Sequence, residues 1–336
     1  MILVTGGTGF VGSYLIRYLI DQGQPVRAIK RASSRLDLLG DYADKVDWHT
    51  TDLLDLPGLE AAYENVNQVY HCGAMVSFHP KDQEMMDRVN VEGTANMVNI
   101  ALDRKIDKFL FVSSIAALGR TAHKSHVDES SSWEHSPLNS NYAISKFKSE
   151  CEVWRGVEEG LNAVVVNPAV VMGSGYWHVG PSEFFMKVDQ GLRFYPIGST
   201  AFVDVRDVVR AMTQLMESEL SGERFILAGE NLSYKDFLEM IAGYMDKSGP
   251  SIRVGKFLSE VAWRVEAIKS KITGQLPMVT KETAATSANR FIYDASKVEK
   301  ALNFNFTPMK ATLKQGVQDY LQSKKEGKDH GIMPWN

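Results

Sequence analysis

The chain has 336 residues, of which 44% are hydrophobic and 23% charged, a balance typical of a globular protein of roughly two domains. Its 37 basic and 41 acidic residues give a net charge of −4, which argues against nucleic acid as a partner because phosphate binding needs a basic surface. With two cysteines and no long apolar run, we expect a cytoplasmic protein without a disulfide framework, metal site or membrane segment.

The first two-thirds of the chain alternates short apolar runs with amphipathic helical patterns. Strands covered on both faces are nearly continuously apolar. Six such runs predict strands at Ile2–Thr5, Pro25–Lys30, Val46–His49, Val66–Cys72, Lys108–Ser113 and Leu161–Asn167. Helical periodicity is found between them, for example over 10–19, 90–102 and 142–158. This alternation predicts an α/β fold with a doubly wound parallel sheet.

The pattern changes after Pro168, where residues 173–200 are rich in Gly, Pro and aromatic side chains. Two more strands are predicted at Ala201–Val205 and Phe225–Ala228, with a helix over Arg206–Glu217 between them. Ser233 and Asp236 resemble a capping box, and residues 250–320 are predicted to be mostly helical. We therefore predict a sheet domain over 1–172 and 201–230, a smaller, mostly helical, discontinuous C-terminal substrate lobe over 173–200 and 231–322, and a flexible tail over 323–336.

A glycine-rich segment follows the first strand and begins the first helix. It satisfies both G-x-G-x-x-G, from Gly7, and G-x-x-G-x-x-G, from Gly6. Glycine allows a tight turn, close approach of the backbone to a pyrophosphate and close packing of helix on strand. The N–H groups at the start of the helix then face the anion. The strand and helix on either side favour a Rossmann-type dinucleotide site over a structural turn. Its predicted contacts are Gly6, Gly9, Phe10, Val11 and Gly12.

The end of the second strand indicates which nicotinamide cofactor binds. An NAD site usually has Asp or Glu there, to bind the ribose 2′-hydroxyl. This chain has Lys30 and Arg31, which suit a 2′-phosphate, so NADP(H) is favoured over NAD(H). Solvated loop charges are the alternative. Asp52, followed by Leu53, is placed to accept a hydrogen bond from an adenine amino group or to cap a helix.

Tyr142 and Lys146 lie four residues apart, on one face of a predicted helix. A phenol with a pKa of about 10 is a poor acid–base catalyst at neutral pH, and a neighbouring cation lowers that pKa. Two further Tyr–Lys pairs have this spacing, but only this one begins a helix that follows a strand ending in hydroxyls, Ser113 and Ser114. The pattern therefore favours Tyr142 and Lys146 as catalytic residues.

Together these motifs resemble the extended short-chain dehydrogenase/reductases, also called the NAD-dependent epimerase/dehydratase family. The resemblance covers residues 1–230 well and the remainder loosely. It implies a Rossmann domain, a bound nicotinamide dinucleotide and a Ser–Tyr–Lys triad. The motifs are, in order, the glycine loop, Asp52-Leu53, Asn90-Val91-Glu92-Gly93-Thr94, Ser113-Ser114, Tyr142 with Lys146, and Asn167-Pro168-Ala169-Val170-Val171-Met172-Gly173.

Roles for single residues follow from this resemblance by position. Tyr142 would transfer the proton, Lys146 would bind the nicotinamide ribose and lower the pKa of Tyr142, and Ser114 would hold the substrate oxygen. For the two asparagines, structural hydrogen bonding is the alternative. The other implied cofactor contacts are Cys72, Gly73, Ala74, Asn90, Ser113, Asn167 and Pro168.

Three features favour a carbonyl reductase or alcohol dehydrogenase acting on a small molecule. The cations at 30–31 indicate NADP(H), residues 142–154 resemble the dihydroflavonol reductase and 3β-hydroxysteroid dehydrogenase branch, and an apolar set surrounds Val76 and Phe78. A sugar dehydratase is disfavoured because apolar residues follow Ser114 where that class has an Asp-Glu pair. A nucleotide-sugar epimerase and a non-catalytic dinucleotide sensor are the alternatives. Family members often dimerise through helices at 90–102 and 142–158, so a homodimer is expected.

Overall fold

The computed structural model describes residues 1–121, 125–255, 263 and 287–335. Its strands are β1 (Ile2–Thr5), β2 (Val26–Lys30), β3 (Asp47–Thr50), β4 (Gln68–His71), β5 (Lys108–Val112), β6 (His126–Val127), β7 (Ala163–Pro168), β8 (Val170–Met172), β9 (Phe194–Pro196), β10 (Ser199–Asp204), β11 (Glu223–Leu227), β12 (Glu230–Ser233), β13 (Ile252–Val254) and β14 (Ile292–Tyr293). Its helices are α1 (Phe10–Asp21), α2 (Leu56–Ala62), α3 (Gln83–Asp87), α4 (Gly93–Asp103), α5 (Asn141–Glu158), α6 (Glu183–Asp189), α7 (Val205–Glu217), α8 (Tyr234–Tyr244), α9 (Ser296–Leu302) and α10 (Met309–Glu326). None of these helices is long and apolar enough to cross a bilayer.

Seven parallel strands form the main sheet, in the order β3-β2-β1-β4-β5-β7-β11. The predicted doubly wound parallel sheet is therefore confirmed. The strand order reverses between β1 and β4, which pair with Thr5 opposite His71. In open α/β sheets, ligands bind at the carboxyl ends of strands at this point. The strand predicted at Ala201 is β10, which instead pairs with β8 and β12 in a separate three-stranded sheet.

Both faces of the main sheet are covered, which explains the continuous apolar runs. Successive side chains of a strand point to opposite faces. In β1, Leu3 packs in the cluster that contains α2, α4 and α5, whereas Val4 packs in the one that contains α1 and α7. Both side chains are fully buried. A strand that is covered on both sides has no polar face, so polar and apolar residues do not alternate along its sequence.

A third apolar cluster lies in the predicted substrate lobe. It joins α6, α8 and α10 through Phe185, Phe237 and Leu313. The predicted cap is present, since Ser233 Oγ accepts a hydrogen bond from the Asp236 N–H at 3.1 Å. Part of the region predicted to be helical, 256–262 and 264–286, lies outside the described residues. The domain boundaries themselves stay a prediction.

The C-terminal segment, expected to be a loose tail, is packed against α1. The Met333 side chain is fully buried, and its backbone N–H donates to the Tyr14 hydroxyl at 2.7 Å. The Trp335 ring contacts the rings of Tyr14 and Tyr18, with centroids 6.1 and 5.0 Å away. The difference from the expectation has a simple cause: two large apolar side chains follow the charged stretch and find an apolar surface on α1.

Candidate active site

The glycine loop joins β1 to α1 at the reversal of strand order. Gly6 has a φ of +66°, and a Cβ there would lie 2.7 to 2.8 Å from the backbone of Cys72 and Gly73. A Cβ on Gly12 would lie 2.2 Å from the Gly6 carbonyl oxygen, whereas one on Gly9 would meet only that oxygen, at 3.2 Å. The loop is thus packed tightly on β4 and on itself, and glycine is required at 6 and 12.

The start of α1 suits an anion. Gly9 is the N-cap residue, the helix has no side-chain cap, and its first turn contains no acidic residue. The backbone N–H groups of Phe10 and Val11 are among those that an α-helix leaves without an intrahelical partner. Together with the positive end of the helix dipole, they fit the pyrophosphate of a dinucleotide.

The cations predicted to bind the 2′-phosphate lie at the carboxyl end of β2, next to β1. Lys30 is half-buried with its Nζ 6.0 Å from the centroid of the Trp48 ring, and Arg31 is exposed. Within the described ranges neither forms an ion pair. Arg35 differs, because it pairs with Asp37 at 2.8 Å and with Asp329 at 2.7 Å. Lys30 and Arg31 are therefore the cations available to a ligand here.

Asp52 and Leu53 follow β3. Asp52 is exposed, and its Oδ1 accepts the Leu54 N–H at 2.8 Å. The cap of α2 is Asp55, whose Oδ1 accepts the Gly58 N–H at 3.3 Å, so the alternative of Asp52 as helix cap is wrong. Leu53 is buried and contributes to the core.

Cys72, Gly73 and Ala74 follow β4, and the backbone of Cys72 and Gly73 packs against Gly6 of the glycine loop. Burial raises the pKa of the Cys72 thiol to about 12, so the group is a neutral thiol at pH 7 rather than a nucleophile. The Gly73 N–H donates to Thr5 Oγ1 at 2.9 Å. This segment contacts the glycine loop mainly through backbone atoms.

A buried histidine that the sequence analysis did not select connects this segment to the next motif. His71 Nδ1 lies 2.7 Å from Thr5 Oγ1, and Nε2 lies 3.1 Å from Thr94 Oγ1. Thr94 donates its only hydroxyl proton to the Asn90 carbonyl, at 2.5 Å, so it accepts from Nε2–H of His71. Burial, with a smaller effect of the Lys146 charge, lowers the pKa of His71 to about 3. The sequence feature that could have identified His71 is a polar residue at the end of an otherwise apolar strand.

Asn90 lies in a single π-helical turn, Arg88–Glu92, between α3 and α4. Its Oδ1 accepts the Met75 N–H at 2.7 Å, and its Nδ2 donates to the Met75 carbonyl at 2.9 Å and to Ser145 Oγ at 3.0 Å. The amide thus fixes the segment after β4 to α5. These contacts favour the structural alternative for Asn90.

Tyr142 and Lys146 lie in the first two turns of α5, which Ser140 caps by accepting the Ala143 N–H at 3.1 Å. The Lys146 side chain is fully buried, and its Nζ donates to the Val112 carbonyl at 2.9 Å. Burial lowers the pKa of Lys146 to about 8, against a smaller opposing effect of Glu150. The end of β5 and the start of α5 are thereby held together.

The Tyr142 phenol is half-buried, and its surroundings differ from the expectation. Burial raises the pKa of Tyr142, whereas interaction with Ser114 and the positive charge of Arg120 lower it. The cation that acts on the phenol in this structure is therefore Arg120, which the sequence analysis missed because a lone arginine after Gly119 belongs to no motif. The Ser113 hydroxyl is buried and has no hydrogen-bond partner among the residues that the structure describes.

Asn167 connects three elements behind the triad. Its Nδ2 donates to the Ser114 carbonyl at 3.0 Å and to Glu150 Oε1 at 2.5 Å, while its buried Oδ1 has no partner in the described part of the chain. Glu150 also pairs with Arg224 at 3.3 Å. Pro168 follows as the last residue of β7. The unpartnered oxygens of Asn167 and Ser113 are consistent with a site built for a polar ligand.

Comparison with known proteins agrees with this geometry. Residues 2–228 match the model of the NAD dependent epimerase/dehydratase family. The chain belongs to this family. A putative dihydroflavonol 4-reductase from Synechocystis sp. is 32% identical over 327 residues, 94% of this chain and 92% of that protein. Cinnamoyl-CoA reductase 2 from Medicago truncatula is 26% identical over 77% of this chain and 84% of its own length.

The solved structure of a protein designated gox2253 has a TM-score of 0.82 and 28% identity, over 98% of this chain and 99% of that one. The predicted family and fold class are thereby confirmed, and so is the predicted class of enzyme, an oxidoreductase. Membership of this family also supports binding of a nicotinamide-type dinucleotide.

Proposed function

We propose that this protein is a carbonyl reductase or alcohol dehydrogenase that interconverts a small-molecule ketone and its alcohol. The observation that carries the proposal is the Tyr142 phenol, which lies beside Ser114 and Arg120 on the helix that also carries buried Lys146. The glycine loop that fits a dinucleotide is at the carboxyl edge of the same sheet. The names of the relatives, which are reductases, support reduction rather than epimerisation.

Each residue of the site has a separate role in the proposed reaction. A reduced nicotinamide, when bound, supplies the two electrons and the hydrogen that add to the carbonyl carbon. Tyr142 donates its phenolic proton to the carbonyl oxygen, so the product is the neutral alcohol, and Ser114 donates a hydrogen bond to the same oxygen. Arg120 stabilises the phenolate that remains, because its positive charge lowers the pKa of Tyr142. In the reverse direction that phenolate accepts the proton of the alcohol.

Replacement of Tyr142 by phenylalanine tests the catalytic assignment. Y142F removes the proton donor and keeps the ring, so turnover of a panel of ketones should fall by about 10²- to 10⁴-fold. The Kd of the cofactor, measured by fluorescence titration, should stay within about threefold of that of the unmodified enzyme. The matched control is Y320F, since Tyr320 begins another Tyr–Lys pair and donates to Asp189 in the lobe. Y142F with full turnover would refute the assignment.

We also propose that NADP(H) is the preferred cofactor and that Lys30 and Arg31 bind its 2′-phosphate. The support is two cations without ion-pair partners in the described part of the chain, at the end of β2 where NAD sites have a carboxylate. NADPH should bind at least about tenfold more tightly than NADH at low salt, and the double variant K30A/R31A should lose this difference. K310A, at an exposed lysine of α10, is the control. Tight binding of NADH alone would contradict the proposal.

The homodimer expected through the helices at 90–102 and 142–158 stays a prediction. Sedimentation velocity would measure the oligomeric state in solution. The cytoplasmic location is likewise a prediction.

A further inference from the structure

Arg120 is held between the loop before α5 and the strand β14. It follows the short helical turn Ile115–Leu118, and its backbone N–H donates to Asn139 Oδ1 at 2.8 Å. Its Nε donates to the Tyr293 hydroxyl at 3.1 Å, and its guanidinium carbon lies 5.7 Å from the centroid of the Phe291 ring. The backbone of Arg120 is therefore fixed by the loop before α5, and its side chain by the residues at β14.

The guanidinium has no counter-ion among the residues that the structure describes. Its contacts there are aromatic or hydroxylic, and only the Nε–H of its five N–H donors is used by a side chain. Two other half-buried arginines are neutralised, Arg206 by Asp204 at 2.7 Å and Arg224 by Glu150 at 3.3 Å, whereas Arg17 also has only ring contacts in the described part of the chain, with Tyr14 and Tyr42. A half-buried charge without a partner is costly, and an anion that binds there recovers the cost.

Tyr142 also has an apolar neighbour. The Phe78 ring lies edge-on to the Tyr142 ring, with centroids 5.9 Å apart, and is 37% exposed. Val76, two residues earlier, is 62% exposed. The phenol thus has two kinds of neighbour, a cation without a counter-ion in the described residues and an exposed apolar surface. A substrate that touches both needs an anionic end, an apolar body and a carbonyl group between them.

We propose that Arg120 binds a carboxylate or phosphate ester group of the carbonyl substrate, and that the apolar remainder of that substrate packs on Phe78 and Val76. This inference rests on the proposed reductase function, because it names the substrate class of the same site. The guanidinium would fix the anion by paired N–H···O hydrogen bonds and so position the carbonyl at Tyr142.

Pairs of acid and ester probes test the inference. The acids are 2-oxo-4-phenylbutanoate and 4-benzoylbutanoate, each compared with its methyl ester, and phenacyl phosphate is the phosphate-bearing probe. The neutral counterpart of each acid is its methyl ester, and that of phenacyl phosphate is acetophenone. For at least one anion, kcat/KM should be about tenfold or more higher than for its neutral counterpart. R120Q should lower kcat for acid and ester alike, because Arg120 also stabilises the phenolate, and should raise KM for the anion only, which removes the preference. R120K should keep part of the preference. The probe that R120Q affects most identifies carboxylate or phosphate as the group bound.

Direct binding separates this inference from the proposed function. Calorimetric titration of the NADP⁺-loaded protein with each probe should show tighter binding of the anion, lost in R120Q and kept in Y142F. If no probe is turned over but this binding pattern is found, the reductase function fails and the Arg120 site stands. Equal binding of acids and esters by the unmodified protein would overturn the inference, whether or not the probes are turned over. This measurement does not depend on the folding of any variant.

One further outcome would also overturn the inference. If Arg120 only tunes the phenol, R120Q should shift the pH profile of kcat equally for acid and ester and leave their ratio of kcat/KM unchanged. Circular dichroism of R120Q and R120K verifies that both variants are folded.

Discussion

At the scale of single residues, the direction of its hydrogen bonds determines the state of His71. Nε2 donates to Thr94 and Nδ1 accepts from Thr5, so the neutral ring satisfies both neighbours. A protonated ring would need a second acceptor and would carry a charge near buried Lys146. The network therefore requires the neutral form and connects the glycine loop to the turn that carries Asn90.

The stability of the protein should consequently depend on His71 at acid pH. Its folded pKa is about 3, below the unfolded value of about 6.5, so between these values the unfolded chain binds more protons. The free energy of unfolding should fall as pH decreases from 6.5, by about 1.4 kcal/mol per unit from this group, or about 3 kcal/mol by pH 4.5. Urea unfolding at several pH values measures this slope, which H71N should flatten.

The matched control for that experiment is H135N, which replaces an exposed histidine in the loop before α5. Its pH profile should run parallel to that of the unmodified protein. If the profile of H71N were also parallel, His71 would not be held neutral by the fold.

At the scale of elements, the strand–loop–helix unit β1–α1 depends on how closely its parts approach. Gly12 lies in the first turn of α1 directly above the Gly6 carbonyl, with space for no side chain. The same contact aligns the N–H groups of the first turn toward the proposed pyrophosphate. Close packing and ligand binding therefore have one geometric cause.

Replacement of Gly12 by alanine should impair both properties. The added Cβ would lie 2.2 Å from a backbone oxygen, so the loop must shift, at a cost of about 1–3 kcal/mol in the free energy of unfolding. The Kd for NADPH should rise at least about tenfold, because the helix N-terminus moves with the loop. Denaturant unfolding and cofactor titration measure the two effects.

The control for this prediction is G243A. Gly243 is an exposed residue near the end of α8, and a Cβ there meets no atom within 4 Å. Alanine is the better helix former, so this variant should be as stable as the original or more stable, by up to about 1 kcal/mol. Equal behaviour of G12A and G243A would contradict the role of close packing at Gly12.

At the scale of the whole molecule, the chain end stabilises the sheet domain. Beyond the buried Met333, the Arg206 side chain donates to the Pro334 carbonyl at 3.0 Å, and Asp329 pairs with Arg35. Met333 and Trp335 contact α1, and Arg35 follows β2, and these are the two elements proposed to bind the cofactor. The C-terminal segment thus supports the cofactor side of the molecule.

Truncation of one side chain tests this support. M333A removes a fully buried side chain next to Tyr14 and should lower the free energy of unfolding by about 2–3 kcal/mol, measured by denaturant titration. M85A is the control, because Met85 is 47% exposed and its loss should change stability by less than about 0.5 kcal/mol. Equal stabilities of the two variants would mean that the segment is not docked in solution.

Much of the fold and part of the candidate site followed from local patterns. The apolar runs predicted the strands of the main sheet, and Ser233 marked the start of α8, because periodicity and capping depend on neighbours within a few residues. The Tyr142–Lys146 spacing and the glycine loop are equally local. The π-helical turn at Asn90 was not predicted, since it depends on packing against Met75 and α5.

The sequence by itself thus determined the class of fold, the family, the glycine loop proposed to bind a dinucleotide and the tyrosine proposed to transfer the proton. Only the tertiary structure decided which distant groups surround them. Arg120 reaches Tyr142 and Tyr293, His71 reaches Thr94, and Met333 reaches Tyr14 across 319 residues of chain. The physical reason is that charge and burial act through space, and distances between remote residues exist only once strand order and helix packing are set.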